Sequence, residues 1–141
     1  MMKFLQLGFL PSSRGLALCI LRLWLGLSMF LIHGWGKLAG FSETAAHFPD
    51  PLGIGSHASL GLAVLAEALC SALLVLGLFT RLAALVLAIE MAVAFTLIHG
   101  HALSGAHTGE VAFIYLAGFV ALLIGGAGCC SLDGKMGRMT T

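Results

Sequence analysis

Four long apolar runs, Leu16 to Ile32, Ser59 to Phe79, Leu82 to Ile98 and Glu110 to Gly126, constrain this chain more than any other feature in it. About 20 helical residues cross the hydrocarbon core of a bilayer, and these runs match that length. Lipid offers the backbone neither donors nor acceptors, so each run must close its hydrogen bonds internally. The expected fold class is therefore all-α, a membrane-spanning four-helix bundle forming one transmembrane domain over residues 1–141. Composition agrees, because 60% apolar and 9% charged residues leave too little polar surface to keep a chain of 141 residues soluble. A net charge of +1, thinly spread, supplies no basic patch for a nucleic acid backbone, so no nucleic acid partner is expected. The partner that the composition requires is the lipid bilayer.

The segments between the runs suggest an orientation. Lys3 among Phe4, Leu5, Leu7 and Phe9 suits a short stretch lying at the membrane interface, and Pro11, Ser12 and Ser13 then open the first helix. Arg22 interrupts the first apolar run and Trp35 follows it, so no signal-peptide cleavage is expected. Lys3, Arg14, Arg81, Lys135 and Arg138 fall on one side of a four-pass arrangement and Lys37 on the other, which predicts a cytoplasmic membrane protein with both termini in the cytoplasm. Thr80 and Arg81 form the short link between the second and third spans, making those two antiparallel neighbours. The longest loop, His33 to Ala58, is external on this reading and holds the turn-rich stretch from Phe48 to Gly53. Ala84, Ala88 and Ala92 recur at the spacing that lets helix backbones approach closely. The polar tail from Ser131 onward is expected to fray. Cys19, Cys70, Cys129 and Cys130 make no C-x-x-C pair and read as inert buried thiols.

Charges inside the runs are the first functional signal. Counting helical rise from the ends puts Arg22, Glu67 and Glu90 near the bilayer midplane on three different helices. An ionised side chain there costs about 3 kcal/mol on the lenient insertion scale, so the three should face inward and each other. The simplest pairing joins Arg22 to Glu67, since arginine keeps its proton in any environment. Glu90 is then the surplus acid, holding a proton or sharing one with Glu67. Such a group marks a redox, proton or ligand site, or else an ion pair that only fixes helix register.

A second polar group gathers at the external ends of the spans: His33, Lys37, His99, His101, His107 and Glu110. Arg22, Gly26, Met29 and His33 follow one helix face, so a polar track from midplane to rim is possible on the first span. The eleven-residue step from Glu90 to His101 returns to the same face of a straight helix, which favours His101 over His99. His99 and His101 lack the flanking motif of a known metal site, so no metal is expected. The alternatives are histidines capping helix ends, or imidazoles that transfer protons or hydrogen-bond a quinone-like carbonyl. Trp24, Trp35, Phe41 and Tyr115 are available to flank such a ring, or to anchor the helices at the interface.

The run Leu21-Arg22-Leu23-Trp24-Leu25-Gly26-Leu27, then Phe30-Leu31-Ile32-His33-Gly34-Trp35-Gly36-Lys37-Leu38, resembles the opening of the DoxX family of small membrane proteins. Leu65-Ala66-Glu67, Leu76-Gly77-Leu78-Phe79-Thr80-Arg81-Leu82-Ala83-Ala84 and the His99 region are similar to its second and third helices. Gly125-Gly126-Ala127-Gly128 and Ser131-Leu132-Asp133 are similar to the end of its fourth. The resemblance implies a four-helix bundle in the cytoplasmic membrane and carries Arg22, His33, Lys37, Glu67 and Arg81 as matching positions. Glu90, His101 and Glu110 have no place in that pattern and rest on the depth argument alone. Some members of the family are membrane subunits of thiosulfate:quinone oxidoreductase, and others are linked to complexes that handle thiol and oxidative stress.

The combined expectation is a membrane subunit of a redox or oxidative-stress-linked system, binding quinone or a similar lipophilic ligand beside Arg22, His33, Lys37, Glu67, Glu90, His101 and Glu110. The chain has no Rossmann fingerprint, no C-x-x-C and no haem-attachment motif, so any electrons must be carried by a partner or a bound quinone, and a protein partner or a homo-oligomer is expected. A proton-coupled or small-solute transport component and a structural membrane scaffold are the competing expectations.

Overall fold

The computed structural model describes residues 7, 13–106 and 108–139, without the side chains of 138 and 139. The expected interfacial stretch around Lys3, Phe4, Leu5 and Phe9, together with Pro11, Ser12 and His107, lies outside the described residues, as does the side chain of Arg138. Among the described residues there is no strand, and six helices follow one another: α1 (Arg14–Ala39), α2 (Phe41–Ala45), α3 (Ser56–Leu76), α4 (Thr80–Ile98), α5 (Glu110–Gly125) and α6 (Leu132–Met139). α1, α3 and α4, at 26, 21 and 19 residues, are long and apolar enough to cross a membrane, and α5 is a shorter apolar helix. The fold is an all-helical membrane bundle.

Alternate helices run in opposite directions, so the start of α1, the α3–α4 turn and the end of α5 share one end of the bundle, here the terminal end. Cys129 N–H donates to Gly15 O at 2.9 Å and Asp133 N–H to Gly77 O at 2.9 Å, which fixes that end. Arg14, Arg81 and Lys135 lie there and Lys37 lies at the opposite, loop end. Leu25, Met29, Leu74, Leu87, Phe119 and Leu122 fill the centre. Ile20, Trp24, Leu31, Ile32, Leu82 and Ile124 point outward, as a surface solvated by lipid tails requires. Ala84 and Ala88 are buried in the extensive α4–α5 contact region, while Ala92 is half-buried.

Three boundaries differ from the sequence reading. The first span does not stop at Ile32, because Gly34 is no helix breaker here: a Cβ on it would sit 2.5 Å from Glu67 O, so the missing side chain lets α1 press onto the α3 backbone and continue to Ala39. The link between α3 and α4 is Gly77 to Phe79, and Thr80 and Arg81 already belong to α4. Gly77 takes the left-handed conformation with φ of +68° that ends α3, and a Cβ there would meet Ser131 and the Arg22 guanidinium. The third difference is the tail, of which Leu132–Met139 is helical rather than frayed.

Asp133 explains that helix and the strained turn before α4 together. Phe79 has φ of +49°, unfavourable for a side chain of its size, and its N–H donates to Asp133 Oδ1 at 2.8 Å. Thr80 N–H donates to Asp133 Oδ2 at 2.9 Å, so a carboxylate more than fifty residues away caps the start of α4. Burial alone would raise the Asp133 pKa, yet the Thr80 and Phe79 hydrogen bonds outweigh it and hold the carboxyl below its ordinary value. A depressed carboxylate pKa contributes stability that is complete above the unfolded value of ~3.9 and is lost as pH falls through the folded one. Asp133→Ala is therefore expected to lower unfolding free energy by about 1 kcal/mol at pH 7, shrinking towards zero below about pH 3, in detergent unfolding followed by circular dichroism.

Candidate functional site

The charged side chains form two groups at different levels of the bundle, and the register of α1 on α3 explains the division. Gly34 lies against Glu67 and Gly26 against Ser71 and Leu74, so Arg22, twelve residues before Gly34, sits about 18 Å along the bundle from Glu67. Side-chain direction adds to that separation. In any helix the Cα–Cβ bonds tilt towards the N-terminus. Arg22 on α1 therefore leans towards the terminal end, while Glu67 on the antiparallel α3 leans towards the loop end. Lys37, at the far end of α1, leans back into the bundle and meets Glu67 instead.

Arg22 is 1% exposed and forms a carbonyl clasp. Its Nε donates to Ala127 O at 3.1 Å, Nη1 to Leu74 O and to Val75 O at 2.7 Å, and Nη2 to Cys130 O at 3.3 Å, with the Cys19 thiol 3.8 Å away. These carbonyls lie in the last turn of α3, where the helix dipole is negative and Leu74 O also accepts from Gly77 N–H at 3.0 Å, and in the turn after α5, so the guanidinium needs no carboxylate. The expected Arg22–Glu67 pair is thus not formed. Leu74 lies seven residues beyond Glu67 along α3, roughly 10 Å of helical rise.

Lys37 Nζ instead donates to Glu67 Oε1 in a close ion pair, with side-chain exposures of 26% and 5%. The ammonium also lies 5.7 Å from the centre of the Phe48 ring. Glu90 on α4 hydrogen-bonds Glu67 and feels the charge of Lys37, whose ion pair is with Glu67. Glu67 Oε2 and Glu90 Oε2 are buried without hydrogen-bond partners. Around this node the helices depart from regular α geometry: π-helical segments occupy Met29–Gly34, Leu65–Cys70 and Ala94–Ile98. Such wide turns re-aim side chains and recur at functional positions.

Two cavities flank the ion pair. One, about 270 Å³, is bounded by Lys37, Glu67 and Glu90 and otherwise by apolar side chains, among them Phe48, Leu62, Ala66 and Ile89. The other, about 340 Å³, is lined by His33, Lys37, Glu67, His99, Thr108 and Tyr115 among others. The His33 ring meets Tyr115 edge-on at 5.8 Å, and Tyr115 Oη donates to Ser28 Oγ at 2.8 Å. Over the first cavity the Phe48–Leu52 stretch is held by Asp50, which accepts from Ile54 N–H at 3.0 Å, Gly55 N–H at 2.8 Å and Ser59 Oγ at 2.7 Å. The Ser59 and Gly55 hydrogen bonds hold the Asp50 pKa below the ordinary carboxylate value.

Of the sequence candidates, His33, Lys37, Glu67 and Glu90 come together and three do not. Arg22 belongs to the other end. His101 lies beyond α4 in a left-handed turn with φ of +64°, stacked edge-on against Phe95, so the straight helix assumed for it ends three residues too early. Glu110 is exposed in the first turn of α5 and lines neither cavity. His99, which the sequence reading ranked below His101, and Phe48, which it left in a loop, are the side chains that line the cavities instead. Trp24 and Trp35 face outward, whereas Tyr115 does line a cavity. Cys19 and Cys70 are buried as expected, but Cys130 is exposed.

A family model for DoxX matches residues 17–100, more than half of the chain and all of the Lys37–Glu67–Glu90 node. The chain belongs to the DoxX family. It is also 37% identical, over 112 residues covering 76% of this chain and 81% of the relative, to a Haemophilus influenzae protein described as uncharacterized. No solved structure matches it. His101 and Glu110 fall outside the DoxX match, while Arg22, His33, Lys37, Glu67, Glu90 and His99 fall within it.

Removing one member of a buried pair leaves the other charge unanswered, at a cost of about 3–5 kcal/mol, even where the pair itself adds little. In a double-mutant cycle, Lys37→Met and Glu67→Gln should therefore couple by at least about 1 kcal/mol. Arg22→Met and Glu67→Gln should add within about 0.5 kcal/mol, read by unfolding in mixed micelles. Coupling of Arg22 to Glu67 as large as that of Lys37 would contradict the two separate groups.

Proposed function

We propose that this protein is a membrane subunit of a redox or oxidative-stress-linked system and that it holds a lipophilic small molecule, a quinone or a compound like it, at the Lys37–Glu67–Glu90 node. The observation that carries this reading is an apolar cavity whose polar lining is concentrated at Lys37, Glu67 and Glu90, with Ser59 nearby. Ligand sites have this composition, mostly hydrophobic walls with a few convergent polar groups. Leu62, Leu65 and Ile89 line the cavity and are also exposed on the outside of the bundle, so the cavity opens sideways between α3 and α4. A lipophilic molecule dissolved in the bilayer can enter there without crossing water. Its polar end then reaches the ion pair, and its tail stays among lipid.

The chain's own groups suit binding and proton handling rather than electron storage. Lys37 and the two carboxyls orient a polar head, and His33 with Tyr115 lines the neighbouring cavity. Electrons come from or pass to a partner protein. The basic residues at the terminal end support an orientation with both termini in the cytoplasm and the node towards the opposite face of the cytoplasmic membrane.

Native mass spectrometry of the protein extracted from its own membrane tests this reading. Wild-type protein should carry a lipophilic redox-active molecule and a partner chain, and Lys37→Met together with Glu67→Gln should lose the small molecule while keeping the partner. Phospholipid alone on both wild type and variant would remove the proposal's support.

A further inference from the structure

Cys19, Cys129 and Cys130 meet at the terminal end of the bundle, although they come from two segments far apart in the chain. Cys129 N–H donates to Gly15 O at 2.9 Å, and a Cβ on Gly128 would sit 2.7 Å from Cys19 N, so the turn after α5 is pressed onto the Gly15–Cys19 face of α1. Gly15 and Cys19 are one helical turn apart, and the contact that seats Cys129 on Gly15 also brings it to Cys19. The Cys129 thiol lies within hydrogen-bond reach of the Cys130 and Cys19 thiols. Arg22 braces the group: its Nη2 is 3.8 Å from Cys19 Sγ and donates to Cys130 O at 3.3 Å. Cys19 is buried, Cys129 half-buried and Cys130 exposed, so the group runs from the core to the surface. Cys70, the remaining cysteine, is buried in the apolar core, the surroundings of an inert thiol.

Packing alone does not call for this grouping, since a buried cysteine behaves as a small apolar side chain and gains little from a second sulfur beside it. Two thiols held together by a fixed backbone contact can instead give up two electrons as a disulfide, which needs close backbones and facing side chains. We infer that Cys19 and Cys129 are a redox-active pair that closes reversibly into a disulfide by exchange with a small-molecule disulfide arriving from water at the terminal end. The Cys129 thiolate attacks one sulfur of the carrier, forming a mixed disulfide and releasing half of the carrier as a thiolate. The Cys19 thiolate then attacks Cys129 Sγ and releases the other half. Two protein thiols are oxidised, one carrier disulfide is reduced, and the two protons lost by the protein end on the carrier thiols. Partial burial, then the neighbouring Cys130 and Cys19 thiols, hold the Cys129 pKa above its ordinary value, so the exchange is slow at neutral pH. With the termini in the cytoplasm, as proposed above, the pair rests as thiols and closes only under oxidation. The bond ties to α1 the turn whose Ala127 and Cys130 carbonyls Arg22 holds, and it leaves Cys130 free. This site is independent of the ligand reading at the loop end.

The test incubates full-length protein in lipid nanodiscs with oxidised glutathione, under argon at about pH 8 to populate thiolates, then alkylates the free thiols and reads intact mass and linked peptides. In wild type the linked peptides should join Cys19 to Cys129, neither of these should retain glutathione, and excess dithiothreitol should restore all four thiols. Cys70→Ser and Cys130→Ser should each close the same bond. Adding Cys19→Ser to Cys130→Ser should halt the reaction at glutathione on Cys129. Wild type that keeps all four thiols, or that gains glutathione on Cys130 alone, overturns the inference even if no variant folds. A bond from Cys129 to Cys130, or between two copies of the chain, overturns the assignment to Cys19.

Discussion

Inside a bilayer no water answers a buried charge, so each ionised group must be answered by another part of the chain, and the bundle is arranged around that demand. Arg22 meets it at the terminal end by collecting carbonyls in the last turn of α3 and in the turn after α5. Lys37 and Glu67 meet it at the loop end by pairing with each other. α1 is thus latched to α3 at both ends, once through backbone and once through side chains, and close contact at Gly34 holds the two helices together between the latches.

The two latches do different work. The Arg22 clasp uses a group that cannot lose its proton and acceptors that cannot titrate, so it persists across pH and acts as a structural fastening. The other latch is built from groups that do exchange protons, contains one acid more than its ammonium neutralises, and borders an apolar cavity. A merely structural pair would be better served by equal charge and tight packing. The π-helical segments at this level of α1, α3 and α4 have the same sense: the chain gives up regular geometry where the cavities lie and keeps it elsewhere.

Asp50 and Asp133 extend the pattern to the two ends outside the hydrocarbon. Each is a carboxylate that accepts backbone N–H groups at a chain reversal, Asp50 holding the stretch over the first cavity and Asp133 starting α4. The cap of α4 is tertiary, and this is why the sequence around Phe79 carries no helix-start signal of its own.

Sequence alone determined the class of the protein, because the length and apolarity of the runs leave a chain no other way to satisfy its backbone in lipid. It also determined which residues had to be buried charges, and the order of motifs that marks DoxX. Which charge meets which was decided only by the tertiary structure. Residue counting places Arg22, Glu67 and Glu90 at similar depths, but α1 packs on α3 in a register that sets Gly34 against Glu67, so Arg22 falls towards the terminal end while Lys37, about one turn beyond Gly34, reaches Glu67. The role of Gly34 was hidden for a related reason: a glycine reads as a helix end in one dimension and as a close helix contact once a neighbouring backbone lies against it. His99 and Phe48 join the site because α4 ends at Ile98, just before Gly100 in the left-handed conformation, and because the 48–52 stretch folds back; the turn residues were legible in the sequence, but where they aim these two side chains was not.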